Sequence, residues 1–353
     1  MKKKTIIIIL SSFISLVIIV LIIAYFLFLH HYKGNDIQDV WNPRDEFNIN
    51  NIKTIEKEKD QDFIILNLAD IQICDLENFF NKEIIKKEID ELITTIKPNL
   101  ITLTGDQTWS NENLISLKSI ISWLDGYQIP YAPVFGNHDY GNQKDSAVLS
   151  KNKCMDLYEN GKYSLFSRGP SNLGTSGNYI VNIKEDDKII KTLYMLDSGY
   201  EDMITSEQIN WVKWNADNIK KYNDNQYVEG MAFFHKPIPE YRYAYQAYLN
   251  NNDLALTDIY VTYSLVGSKQ NGFFEMAKEI NIKDIICGHQ HGNSFTINYD
   301  NINLTFALKT GEFGGYYEDE NIYLNGATYF AITNDIIIYN NYFVDKNKYK
   351  ISG

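Results

Sequence analysis

Tyr131-Ala132-Pro133-Val134-Phe135-Gly136-Asn137-His138-Asp139 carries the pattern that decides the fold. An apolar run that stops at a glycine predicts a buried β-strand ending in a turn. That turn sets an amide, an imidazole and a carboxylate side by side. A strand end can hold a metal-ligating side chain on a rigid scaffold while leaving its neighbour free for chemistry. The same form recurs elsewhere. Phe63–Leu68 runs towards Asp70, Leu100–Thr104 into Gly105-Asp106, Met231–Phe234 into His235, and Lys283–Cys287 into Gly288-His289-Gln290-His291. Four of the six histidines in the chain stand at such ends. These strand ends are expected to converge on two metal ions.

Outward from these strands the pattern alternates. Phe79–Ile96 has apolar residues at helical spacing (Ile85, Ile89, Leu92, Ile93, Ile96) and stops before Pro98. Leu114–Leu124 is helical, with Asn111 or Asn113 as candidate caps. Strands alternating with helices predict a mostly parallel sheet with right-handed crossovers. Tyr179–Ile183 and Ile189–Leu196 read as strands about the turn Glu185-Asp186-Asp187-Lys188. Ser206–Ile219 reads as a helix capped by Thr205 or Ser206, with Trp211 and Trp214 in core packing. A helix over Phe273–Ile280 follows, then strands at Ser294–Ile297, Leu304–Leu308, Ala327–Thr333 and Ile336–Phe343. Two packed sheets with helices outside are expected, in one body over 62–345 with a tail at 346–353.

The N-terminus has a different composition. Lys2-Lys3-Lys4 precede an uncharged, mostly aliphatic run from Thr5 to Leu29, long enough to cross a hydrocarbon core of about 30 Å. Residues 1–32 therefore read as cytoplasmic lysines and an anchor. The run exceeds a usual signal core, and bulky Tyr25-Phe26-Leu27-Phe28-Leu29-His30-His31-Tyr32 offers no small-x-small cleavage site. Lysines ahead of the span predict a single-pass protein of the cell membrane, N-terminus inside and the rest outside. His30 and His31 read as interfacial residues. Residues 33–61 read as a polar tether, with local packing at Trp41-Asn42-Pro43-Arg44. The net charge of -12 leaves no basic stripe for nucleic acid. An acidic protein can still take phosphate where metals supply the positive charge. The three cysteines, Cys74, Cys154 and Cys287, make no disulfide framework, and Cys287 reads as a small buried residue. Oligomeric state has no signature here.

Asp70, Asp106, Asn137, His235, His289 and His291 form a chemically coherent set. Two metals ~3.5–4 Å apart need one bridging carboxylate and a few nitrogen or oxygen ligands on each side. Carboxylate, amide and imidazole suit Zn, Mn or Fe. Asp106 is the best bridging candidate, because Gly105 lets backbone and metal approach closely. His289 and His291 alternate along an extended segment and would face different metals.

The ordered set Asp70-x-Gln72, Gly105-Asp106, Gly136-Asn137-His138-Asp139, His235 and Gly288-His289-Gln290-His291 resembles the calcineurin-like metallophosphoesterases, over roughly residues 60–345. Phe234-His235-Lys236-Pro237-Ile238-Pro239-Glu240-Tyr241, Leu196-Asp197-Ser198-Gly199 and Gly311-Glu312-Phe313-Gly314-Gly315-Tyr316 resemble the purple-acid-phosphatase-like branch. The resemblance implies an α/β fold, a four-layer αββα sandwich, with two divalent or trivalent ions (Mn, Zn or Fe) at the strand ends. It implies that Asp70, Asp106 and His291 hold the first metal, that Asp106 bridges, and that Asn137, His235 and His289 hold the second. A hydroxide between the metals would attack phosphorus in line. His138 would stabilise charge on a phosphate oxygen or protonate the leaving alkoxide. Asp139 would hydrogen-bond His138 and fix its tautomer.

Two positions depart from the family. The first motif is usually Asp-x-His, and position 72 is Gln; Gln72 stands open between ligand and supporting hydrogen-bond partner. Purple enzymes carry a tyrosine three residues after the second-motif aspartate. Trp109 occupies that position and cannot ligate, so a colourless enzyme is expected. The function implied is a membrane-anchored, extracytoplasmic dimetal phosphoesterase acting on a small phosphate ester, monoesters preferred. The alternatives are a phosphodiesterase for nucleotides or lipid headgroups, and a non-catalytic surface-binding module. Tyr241, Tyr243, Tyr245 and Tyr248 are candidates for a cleft wall or for packing, and Arg242 for a phosphate clamp or a solvated side chain. Gly311–Gly315 is a candidate site loop or a tight sheet turn.

Overall fold

A computed structural model describes residues 3–73, 79–109, 113–141, 149–199, 204–262, 264–265, 271–311, 324–333, 336–345 and 348, with backbone alone at 3–9, 29–31 and 79–81. The first half runs α1 (Lys3–Lys33), β1 (Lys53–Lys57), β2 (Phe63–Leu68), α2 (Phe79–Ile96), β3 (Leu100–Thr104), α3 (Asn113–Tyr127), β4 (Tyr131–Val134), α4 (Lys151–Glu159), β5 (Tyr179–Glu185) and β6 (Lys188–Met195). The second runs α5 (Ser206–Ile219), β7 (Gly230–Phe233), α6 (Glu240–Asn250), β8 (Tyr260–Val261), α7 (Phe273–Glu279), β9 (Ile282–Cys287), β10 (Asn293–Tyr299), β11 (Ile302–Phe306), β12 (Gly326–Thr333) and β13 (Ile336–Phe343). The start of α5 is set by a capping box, with the Thr205 hydroxyl on the Gln208 amide and the Gln208 side chain on the Thr205 amide.

Continuous apolar runs became strands covered on both faces, as parallel strands require. One sheet has the order β13-β12-β2-β3-β4, the other β1-β5-β6-β7-β9-β11-β10-β8. β2, β3 and β4 are parallel to one another, and so are β6, β7, β9 and β11. Strand alternation sorts the large sheet's side chains between two cores. Leu193, Met231, Phe233 and Ile286 face the small sheet and share its core with α2, α3 and α4. Tyr194, Ala232 and Ile285 face the other way, against Val212 of α5, Ala244 of α6 and Ala277 of α7. The result is the four-layer αββα sandwich. A polar seam also joins the sheets: the Tyr339 hydroxyl and the Asn303 amide (3.1 Å) donate to Asp284 Oδ1. Burial pushes the Asp284 carboxyl up to about 6, against the pull of those two donors.

The expected tether is corrected in part. Lys53–Lys57 adds the edge strand β1, parallel to β5. Upstream, the Trp41 and Phe47 rings pack on Trp214 at 6.0 and 5.5 Å, so Trp214 clasps this segment rather than filling a core. The Trp41 amide donates to Asn172 Oδ1 at 2.9 Å. The apolar residues that anchor it, Trp41, Phe47, Ile49, Ile52 and Ile55, are too dispersed in a polar run to show a period. α1 contains one stretch, Leu10–Phe28, long and apolar enough to cross a membrane, with mean hydropathy 2.8. Its end docks directly: Ser150 Oγ donates to the Lys33 carbonyl, and the Ser150 amide to the Tyr32 carbonyl at 3.1 Å. Cys154 and Cys287 are buried and unbridged, and Cys74 lies outside the described residues. The side chains of His30 and His31 also lie outside them.

Candidate metal centre

Each residue of the set stands just beyond the carboxyl end of a parallel strand: Asp70 after β2, Asp106 after β3, Asn137 after β4, His235 after β7, His289 and His291 after β9. Open α/β sheets present ligand sites at this edge. Here the edges of both sheets meet. His235 Nδ1 lies 2.8 Å from the Thr104 carbonyl, joining the β7 loop of one sheet to the end of β3 in the other. Asp70, Asp106 and His289 adopt left-handed backbone, with φ of 52°, 53° and 75°. Such conformations cost a non-glycine residue about 1 kcal/mol or more and concentrate at functional sites.

The carboxylates are held from behind by neighbouring loops. The His289 amide donates to both Asp70 oxygens at 3.1 and 3.0 Å. The His138 amide donates to Asp106 Oδ1 at 2.9 Å. Gly136 is needed for this approach: a Cβ there would lie 2.1 Å from Asp106 Oδ1.

On the open side, lone pairs converge. The Thr104 carbonyl places the His235 proton on Nδ1 and leaves Nε2 as the donor atom. That Nε2 faces Asp106 Oδ2 at 3.2 Å, Asn137 Oδ1 at 3.2 Å and His289 Nδ1 at 3.1 Å. Four electron pairs aimed at one point are satisfied by a cation. A second group, Asp70, Asp106 and His291, shares Asp106, with His291 Nε2 3.3 Å from Asp70 Oδ1. Ligand atoms within each of the groups Asp106-His235-His289 and Asp70-Asp106-His291 lie within 4.8 Å of one another. The two groups share Asp106, and each could hold a metal ion. Their titration follows from the same crowding. Burial disfavours a charged His235, but the Asp106 carboxylate outweighs it and pushes the ring up to about 9. Burial and the neighbouring His235 charge push His289 down to about 4. Asp70 and Asp106 stay below the usual carboxylate range despite burial, held there chiefly by His291 and His235 respectively.

His138 is partly exposed, its Nε2 3.9 Å from Asp106 Oδ2. Its ring stacks on Trp109, centroids 5.1 Å apart and planes at 23°. The role expected for Asp139 is corrected. Its Oδ1 accepts the Thr108 amide at 3.0 Å and its Oδ2 the Gly136 amide at 2.8 Å. Asp139 therefore ties the β3 and β4 loops together, and Trp109 is the ring that supports His138. Burial and the Asp106 charge push the Asp139 carboxyl up to about 8, against those two amides. Asn113 was read only as a candidate cap. Its side chain donates to the Asp139 carbonyl at 2.8 Å and accepts the Leu149 amide at 3.1 Å, bracing the same loop.

Gln72 is buried, and its Oε1 accepts from Lys309 Nζ at 3.3 Å. Lys309 was missed in the sequence; a lone lysine after the apolar Phe306-Ala307-Leu308 was its signal. It is 1% exposed, and its Nζ also donates to the Asp70 carbonyl. Burial pushes its ammonium down to about 8, resisted by Asp70, Asp106 and Glu88.

The remaining motifs settle as architecture. Asp197 pairs with Lys151, and the Ser198 hydroxyl accepts the Lys236 amide at 3.1 Å, supporting the His235 loop. Tyr241 is buried and donates to the Ile285 carbonyl at 2.7 Å, and Tyr245 stacks on Phe295 with planes at 19°. Both pack α6 on the large sheet. Arg242 is exposed, its guanidinium 5.3 Å from the Tyr243 ring centre. Beyond Gly311, the Glu312–Tyr316 motif lies outside the described residues.

The chain is similar to known proteins. The calcineurin-like phosphoesterase family matches residues 34–293. Phosphatase DCR2 of Saccharomyces cerevisiae is 26% identical over 233 residues, 60% of this chain and 39% of that protein. Probable inactive purple acid phosphatase 29 of Arabidopsis thaliana is 25% identical over 255 residues, 64% of this chain and 62% of that protein. The match thus spans less than two thirds of the length of either relative. A Plasmodium structure described as GAP50, the anchor in the inner membrane complex, aligns with 83% of this chain and 87% of its own at TM-score 0.48 and 11% identity. With the family match over residues 34–293, most of its length, the chain belongs to the calcineurin-like phosphoesterase family.

Proposed function

We propose that this protein is a dimetal phosphoesterase of the cell membrane, anchored by α1 with its catalytic body outside, that hydrolyses small phosphate esters and prefers monoesters. The observation that carries the reading is the convergence of His235 Nε2, His289 Nδ1, Asn137 Oδ1 and Asp106 Oδ2 on one point, with Asp106 shared by Asp70 and His291. These residues would hold metals that, when bound, would supply positive charge to the phosphate and acidify an attacking water. Asp106 holds both positions in register. The Thr104 carbonyl keeps His235 in the tautomer that presents Nε2. His138, accessible and steadied by Trp109, is placed to neutralise a phosphate oxygen or protonate the departing alkoxide.

A second reading, a phosphodiesterase acting on lipid headgroups, has one observation in its favour. α1 ends on Ser150 with no free spacer before the body, which would hold the site close to the bilayer. The inactive-protein reading has the names of two relatives, probable inactive purple acid phosphatases 29 and 28 of Arabidopsis thaliana, and Gln72 in its favour, against a full remaining donor set.

The test uses the full chain in detergent, reconstituted with Mn, Zn or Fe, on p-nitrophenyl phosphate and on bis-p-nitrophenyl phosphate. Monoester turnover that disappears in Asp106→Asn is expected. Equal turnover in Asp106→Asn overturns the dimetal reading, and cleavage of the diester alone overturns the monoester preference. Protease access to the body on intact cells checks the orientation.

A further inference from the structure

Lys309 is a buried cation set against the first metal position, and nothing in the hydrolytic scheme uses it. Its main chain is fixed beside the Asp70 strand end by a parallel bridge to Ala69, and the Thr310 amide donates to the Ala69 carbonyl at 2.7 Å. From there Nζ reaches the Asp70 carbonyl and the Gln72 Oε1. Asp70 is thus held on two sides: an ammonium at its carbonyl, and the metal position at its carboxylate.

The two positions are unequal in consequence. The second has four donors, two of them imidazole nitrogens: Asp106, Asn137, His235 and His289. The first has Asp70, the shared Asp106 and a single imidazole, His291. The Gln72 side-chain oxygen in its loop, Oε1, is engaged by Lys309 Nζ at 3.3 Å. The ammonium at the Asp70 carbonyl also offsets part of the charge that would attract a metal. We propose that Lys309, acting with Gln72, makes the first position the weak and exchangeable one. The chain then keeps one metal tightly, and free metal concentration sets occupancy of the other. The inference rests on the dimetal reading above.

The test is Mn2+ titration of the metal-stripped full chain in detergent, followed by calorimetry and by electron paramagnetic resonance. One equivalent should bind first and give an isolated-ion spectrum. The second should bind at least about tenfold more weakly and bring an exchange-coupled spectrum. Lys309→Met should narrow that gap by about tenfold or more. Lys309→Gln, which keeps a donor for the Asp70 carbonyl, serves if Lys309→Met fails to fold. Two sites of equal affinity in the unaltered chain, or a gap unmoved in a folded Lys309 variant, overturn the proposal while leaving the dimetal reading intact. Absence of Mn2+ binding at either position overturns both.

Discussion

His138 and Trp109 define the chemistry at the scale of single residues. The imidazole Nε2 lies 3.9 Å from Asp106 Oδ2, is partly open to solvent and rests on an indole face. Under the proposed function, a group so placed would serve the substrate rather than the metals. His138→Ala should lose about 10²-fold or more of turnover with metal content unchanged, as read by elemental analysis beside kinetics. Trp109→Ala should lower kcat by about tenfold, the worth of one aromatic stack. Trp109→Phe should restore most of it, since an aromatic face, not a donor, supports His138. Equal loss in both would place the role of Trp109 elsewhere. Gly136 makes a different demand. A methyl group at that position would meet Asp106 Oδ1 at 2.1 Å, so Gly136→Ala should weaken metal retention about 10–100-fold in a chain whose circular dichroism is unchanged.

At the scale of elements, strand ends place the donors and inter-strand bonds keep them there. The Asp70 amide donates to the Gly105 carbonyl at 3.1 Å, and the Gln72 amide to the Asp106 carbonyl at 2.9 Å, extending the β2–β3 pairing into the site loops. The seam between the sheets has its own pH dependence. Asp284 titrates near 3.8 unfolded and about 6 when buried. A group whose folded value is raised contributes its full stability below the unfolded value and loses it as pH rises through the folded one. The chain should therefore lose roughly 2 kcal/mol between pH 4 and pH 7.5 through this residue, at 1.36 kcal/mol per unit. Asp284→Asn should remove that fall, which urea midpoints at the two pH values would show. An unchanged slope in the variant would place the ionisation elsewhere. The strands themselves were legible because runs such as Leu100–Thr104 are covered on both faces and so are apolar at every position. α4 and α6 were not. Lys151–Glu159 is largely polar, and Glu240–Asn250 presents tyrosines whose ring and hydroxyl ends hide the helical period.

At the scale of the whole molecule, the segment after α1 is part of the body. A chain beginning at residue 34 should stay folded and dissolve without detergent, because it keeps Trp41, Phe47 and β1. One beginning at residue 58 exposes Trp214 and the edge of β5. It should melt lower by about 5 °C or more, the equivalent of about 2 kcal/mol in a domain of this size. Equal melting temperatures would return residues 34–57 to the status of a spacer.

The sequence by itself determined what is local and periodic. It determined the anchor-like apolar run, the order of most strands and helices, and the donor residues, because a buried parallel strand and a metal ligand each restrict residue type at known spacing. Only the tertiary structure decided which partners these residues meet. Asp139 took two backbone amides instead of His138, Trp109 became the support of that imidazole, and Lys309 reached across 237 residues to Gln72. Such contacts join positions remote in the chain, and no local period records them. The opening stretch shows the division: Tyr131–Phe135 announced a buried strand, and the packing of two sheets turned its end into one wall of a candidate metal centre.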